Sequence, residues 1–110
     1  NMAKDFIQLN SKDDLGNIFL YKGVFSTIAA NVIDEVKDIQ LAESNKPFKN
    51  GIQTRIDQNK LFLSIPVKVV YTANVTDVCA ALQNKVYESI SYMTDYKPEN
   101  IQIDVVGFIF

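Results

Sequence analysis

Catalysis needs a nucleophile, a base or a set of metal ligands, and this sequence offers few of the residue types that supply them. Its 110 residues include no histidine. That removes every Ser–His or Cys–His pair and the commonest metal ligand. The single cysteine, Cys79, lies on an apolar helical stripe between Val78 and Leu82 and reads as a buried structural thiol. A reactive thiolate needs an exposed, electropositive setting, and nothing nearby supplies a base. Asp13-Asp14 and Asp34-Glu35 are adjacent in sequence, so on regular structure their side chains diverge and read as solvated surface. Lys46, Lys49 and Arg55 gather around residues 45–51, a pattern that can attract an anion. Glu43 and Asp57 stand close to them, and a solvated loop accounts for the cluster equally well. The four glycines, at 16, 23, 51 and 107, spell no phosphate-cradling loop. No G-x-x-G joins two helices, as a nucleic-acid reader of the KH type requires. The chemistry on offer is not catalytic, and neither a metal nor a cofactor is expected.

What the residue types do offer is apolar and aromatic surface. The chain closes on V-V-G-F-I-F. Simple alternation puts Val105 and Ile109 on one face of a strand, and Val106, Phe108 and Phe110 on the other. A strand apolar on both faces has to be covered twice, once by its own helices and once by an N-terminal arm or a second copy. Uncovered patches of this kind mark association sites. Tyr87 and Tyr92 fall off the main stripe of the long helix and form a second choice. The candidate interaction surface is therefore Val106, Phe108 and Phe110, with Tyr87 and Tyr92 behind them.

The elements that carry these residues follow from periodicity. Val75, Val78, Cys79, Leu82, Val86, Ile90 and Met93 are spaced for a long amphipathic helix. Asn74 or Thr76 is suited to cap it, with Asp77 in its first turn. Ile101, Ile103 and Val105 alternate with Gln102 and Asp104 as a strand does. Upstream, Ile18-Phe19-Leu20-Tyr21 reads as a short strand. Val24, Phe25, Ile28, Ala29, Val32, Ile33 and Val36 mark a first helix ending near Glu35. Ile39-Gln40-Leu41-Ala42 has the composition of a further short strand. Residues 51–57 and 61–72 form a hairpin around a turn at 57–60, where Asn59 can take positive φ. Pro66 cannot donate to a ladder, which places that strand at a sheet edge or bulges it there. The expected fold is α+β in two layers, with two helices on one face of a mixed sheet in the order β-α-(β)-β-β-α-β. Residues 1–14 read as a polar, loosely attached arm, with a short strand around Phe6, Ile7 and Leu9 as the other option, and 15–110 as one domain.

Bulk properties narrow the class further. Hydrophobic residues make up 47% and charged ones 22% of the chain, which is globular rather than disordered composition. The net charge of −2 and a pI near 5.0 give no basic footprint for nucleic acid or an anionic membrane. The apolar runs are too short to span a bilayer, and the polar start lacks a signal-peptide core. One cysteine precludes an internal disulfide and fits a reducing compartment.

Taken in order, these pieces resemble the bacterial alkaline shock protein family, the envelope stress response proteins. L-G-N-I-F-L and then V-F-S-T-I-A-A at 24–30 are similar to its opening strand and helix, and V-K-D-I at 36–39 falls where it reads V-E-G-V. G-I-Q-T-R-I-D and L-F-L-S-I-P-V-K-V-V-Y match its central hairpin. The stretch from Asn74 to Thr94 and then I-Q-I-D-V-V-G match its long helix and last strand. Three departures stand out: Asp38 and Asp95 where the family has glycine, and a short 45–50 stretch where many members carry a glycine-rich loop. The family has no established enzymatic activity, so the resemblance implies a protein that is not an enzyme and carries no catalytic residues over. It implies a bacterial, cytoplasmic general stress protein that self-associates and collects at the inner face of the membrane through a membrane-anchored partner, without inserting itself. A small-molecule-binding regulatory module is the alternative reading, and nucleic-acid binding is disfavoured by charge.

Overall fold

The computed structural model describes residues 4–45 and 50–110. The chain runs through β1 (Phe6–Asn10), β2 (Asn17–Tyr21), α1 (Lys22–Ile33), β3 (Ile39–Leu41), β4 (Gln53–Asp57), β5 (Lys60–Val70), α2 (Val75–Thr94) and β6 (Asn100–Ile109). Two helices pack on one face of a mixed four-stranded sheet, as the sequence predicts. The face they cover is written in β5, where Leu61, Leu63, Ile65, Val67 and Val69 are all buried while the residues between them are half-buried. Phe25, Ile28, Ala29, Val32 and Ile33 come down from α1 and Leu82, Val86 and Ile90 from α2. Each fully buried aliphatic side chain contributes about 1.5–3 kcal/mol relative to exposure. No whole polar or charged residue is buried among them, although Ser91 Oγ and Asp57 Oδ1 are shielded from water without a hydrogen-bond partner and carry a desolvation cost.

β5 is the central strand. β6 pairs with it in parallel over Phe62–Val70, across the crossover helix α2. β4 pairs antiparallel with its first half and β3 with its second half, so both share the edge opposite β6. Pro66 falls at the joint, after Gln53↔Ser64 ends one ladder and before Leu41↔Val67 opens the other. Its carbonyl still accepts from Ala42 N–H at 2.9 Å. Of the two options for the Pro66 strand the edge is excluded, because β5 is central; a register shift lies just beyond, between Val67 and Lys68, and the proline itself is accommodated where no ladder bond is required.

The expected opening strand does not join this sheet. β2 pairs antiparallel with β1 in a separate two-stranded sheet, from Phe6↔Tyr21 to Asn10↔Asn17. Of the two options for the N-terminal stretch, the short strand is the one observed, and its Ile7 is fully buried in the core. Docking is specific: the Asn59 side chain accepts from Gln8 N–H at 2.8 Å and donates to the Gln8 carbonyl at 3.1 Å. That amide stands in for one rung of a ladder. Gln58 and Asn59 both have positive φ, as a type I′ hairpin turn requires.

Asp38 and Asp95, which stand where the resemblance places glycine, both adopt left-handed backbone, at φ 69° and φ 60°. Aspartate tolerates that region better than most residues because its short side chain bonds locally. Asp95 ends α2, its N–H donating to the Ser91 carbonyl at 3.0 Å. Asn74 caps the other end, its side chain accepting from Asp77 N–H at 3.0 Å.

Candidate interaction surface

β6 has one paired edge and one free one, since among the described residues it pairs with β5 alone. In a ladder, residues in register share a face. Ile101, Ile103 and Val105 therefore stand on the helix side with Leu63, Ile65 and Val67, and Gln102 and Asp104 on the open side. The register shifts between Val67 and Lys68, where Val105 and Gly107 are the successive partners and Val106 is the extra residue of a β-bulge.

The bulge corrects the expected alternation. Gly107 and Ile109 turn to the open side with Lys68 and Val70, and Phe108 joins Val69 on the helix side. Gly107 leaves room there for the Lys68 stem, which a Cβ would meet at 3.6 Å. Phe108 and Phe110 thus share a face with Val105 rather than opposing it. They lie past the end of the helical cover, 47% and 93% exposed, and the Phe110 ring packs on exposed Tyr71 with centroids 5.3 Å apart. Val106 itself is 59% exposed. The structure therefore gathers Val106, Phe108 and Phe110 at one end of β6 and adds Tyr71, just past the end of β5.

The tyrosines of α2 go elsewhere. Tyr87 lines a shallow groove of about 200 Å³ with Gln83, Asn84, Pro98, Glu99, Asn100 and Ile101, at the start of β6. Gln83 Nε2 donates to the Ile101 carbonyl at 3.1 Å and holds the helix to the strand. Tyr92 is 91% exposed at the far end of α2, beside Leu9, Ile18 and Leu20 of the β1–β2 hairpin. Met93, expected on the buried stripe, is exposed because the helix outruns the sheet there. One chain thus separates the five residues into three places. Exposed Leu15, Ile18, Phe19 and Tyr21 of the hairpin were not foreseen. Their signal was the pairing of the Phe6–Leu9 run with Ile18–Tyr21 across a polar turn.

The polar groups show how little chemistry is assembled. Arg55 lies 4.1 Å over the Phe62 ring and 3.7 Å from Asp57, so it is already engaged, and Lys46 and Lys49 lie outside the described residues. Asp13, Asp14, Asp34 and Glu35 are exposed. Cys79 is half-buried, and that burial pushes its thiol pKa up, away from thiolate. The Tyr96 hydroxyl is tied into the fold on two sides. It accepts from Leu61 N–H at 2.8 Å and donates to the Asn59 carbonyl at 3.3 Å. Burial first, then Glu99, push its pKa up, against the opposing hydrogen bond from Leu61. Among the described residues no three potential metal ligands cluster.

These features define a two-layer α+β protein whose most distinctive surface is an unpaired, apolar edge strand. The chain belongs to the alkaline shock protein family, whose function is cell envelope-related; the match spans residues 10–110. No curated protein and no solved structure matches it. No helix among the described residues is long and apolar enough to cross a membrane.

Proposed function

We propose that this protein serves cell-envelope homeostasis under stress without catalysing a reaction, by self-association and by binding a membrane-anchored protein that holds it at the inner face of the membrane. One observation carries the reading: Val106, Phe108, Phe110 and Tyr71 form an exposed apolar end on a strand with a free edge. Apolar groups concentrated on an unpaired edge are the ordinary signature of a contact site. The family's cell envelope-related role supports the same direction. Light scattering over a dilution series is expected to reveal an assembly that Phe108→Ser weakens. A protein that stays monomeric at high concentration and ignores that substitution removes the reading. Co-purification of tagged protein from detergent-solubilised membranes is expected to bring down the anchor, and recovery of nothing but the bait removes that part.

The alternative of a small-molecule-binding module draws less support. The space between helices and sheet is filled by buried apolar side chains. The largest groove described, about 780 Å³ between β1 and the β4–β5 turn, is open to solvent and lined mainly by amides and charged groups.

A further inference from the structure

We infer that the free edge of β6 takes β6 of a second copy, antiparallel, about a two-fold axis passing beside Ile103. This rests on the self-association proposed above and states where and in which register it occurs. Proteins that keep their edge strands apart guard them with lysine, proline, inward charge or a β-bulge, and the bulge of β6 falls at Val106, past the stretch from 100 to 105. β6 spans ten residues and carries no lysine, arginine or proline. Its one charge, Asp104, is committed on the open face, where Ser64 Oγ donates to Oδ2 at 2.6 Å and Gln102 Nε2 to Oδ1 at 2.9 Å.

The helix flank above the edge is uncharged as well. At 100° per residue the side of α2 next to β6 carries Thr76, Ala80, Gln83 and Tyr87, and Asp77, Lys85 and Glu88 fall away from it. In a two-fold contact the same patch meets itself, so any charge at its centre would face a like charge. A strip without one suits a second copy better than a charged partner.

Faces and charge then select the register. Directly opposed residues share a sheet face, and the bulge at Val106 takes the strand beyond Val105 out of a regular ladder. Pairing therefore uses residues 100–105, centred on a residue. Centring on Asp104 opposes two carboxylates. Centring on Gln102 sets Val105 against Glu99. Centring on Ile103 opposes Ile103 with itself and Ile101 with Val105 on the helix side, and Gln102 with Asp104 on the open side. The same register carries the Phe108 end of each copy toward the groove that Tyr87 and Pro98 line in the other. Residues that one chain holds apart meet across the axis.

Sedimentation of the full chain tests this with Gln102→Glu and Gln102→Lys, both at an exposed position. Gln102→Glu sets a like charge against Asp104 twice per dimer and is expected to raise the dimer dissociation constant roughly tenfold, whereas Gln102→Lys keeps or tightens the dimer. In a Cys79→Ala background, Gln102→Cys combined with Asp104→Cys is expected to give a covalent dimer on oxidation. A dimer indifferent to both charges that also fails to cross-link overturns this interface and leaves the proposed function standing. A chain that is monomeric at every concentration overturns both.

Discussion

Replacing Tyr96 by phenylalanine removes one oxygen and leaves the ring, 6.0 Å from Phe25, in place. That oxygen is the acceptor for Leu61 N–H, and Leu61 is fully buried near the start of the central strand. Asn59, which loses a donor at its carbonyl, is exposed and water replaces it. The loss is therefore mainly one orphaned buried N–H, about 1–3 kcal/mol. In a domain of this size each kcal/mol lowers Tm by about 4 °C. Urea denaturation at neutral pH measures it directly, with an unchanged slope expected because the exposed surface is the same. A second signature follows from protonation. The Tyr96 pKa is raised in the folded protein, so the folded state holds that proton more tightly than the unfolded chain. The resulting stability is present below the ordinary tyrosine pKa of about 10 and is lost as pH rises through the folded value. The gap between the protein and Tyr96→Phe should narrow on alkalinisation. A change below about 0.5 kcal/mol at neutral pH, or a gap that widens with pH, would refute the reasoning.

Three further outcomes are expected. Asp38→Gly and Asp95→Gly each relieve left-handed strain and should stabilise by roughly 0.5–1 kcal/mol; the exposed Lys12–Asp95 ion pair, 3.2 Å long, is too solvated to cancel the gain. Thermal melts that move downward would contradict this. Asn59→Asp keeps the acceptor for Gln8 N–H and loses the donor to its carbonyl, at a cost of about 1 kcal/mol. Amide exchange should then quicken in β1 and leave β5 untouched, and uniform quickening would speak against a local clamp. Cys79 should alkylate more slowly than a free thiol near neutral pH, because burial raises its pKa. The rate should recover in urea, and fast modification of the folded chain would count against that burial.

Much of the fold was legible because its patterns are local. The stripe of α2 and the alternation of β5 each declare a buried face within one element, and Asn74 and Asn59 announce a cap and a turn through their own side chains. What escaped depends on partners far away in sequence. Pro66 looked like an edge residue because nothing near it shows that two strands end on either side. The β1 strand showed only as an option among its polar surroundings, since its pairing with β2 is what accounts for Phe6, Ile7 and Leu9. At the candidate surface the residue types were readable and their geometry was not. A bulge shifts alternation by one residue, and Val106 carries no turn-forming chemistry that would reveal it. Tyr87 and Tyr92 stand about 140° apart around α2, so one meets the start of β6 and the other the β1–β2 hairpin.

The sheet is also a hub: β3, β4 and β6 each bond to β5 and none to another. As the chain emerges from the ribosome, no strand of this sheet has a partner until Lys60 and its successors are made. β4 closes first across a two-residue turn, and β3 follows along the same edge. β6 has to await α2, because a parallel neighbour can be reached only through a crossover. Within this sheet the apolar edge is thus the last strand translated and the last to find its place. By then the remaining strands have a scaffold, which shortens the time for which β6 is exposed to neighbouring nascent chains.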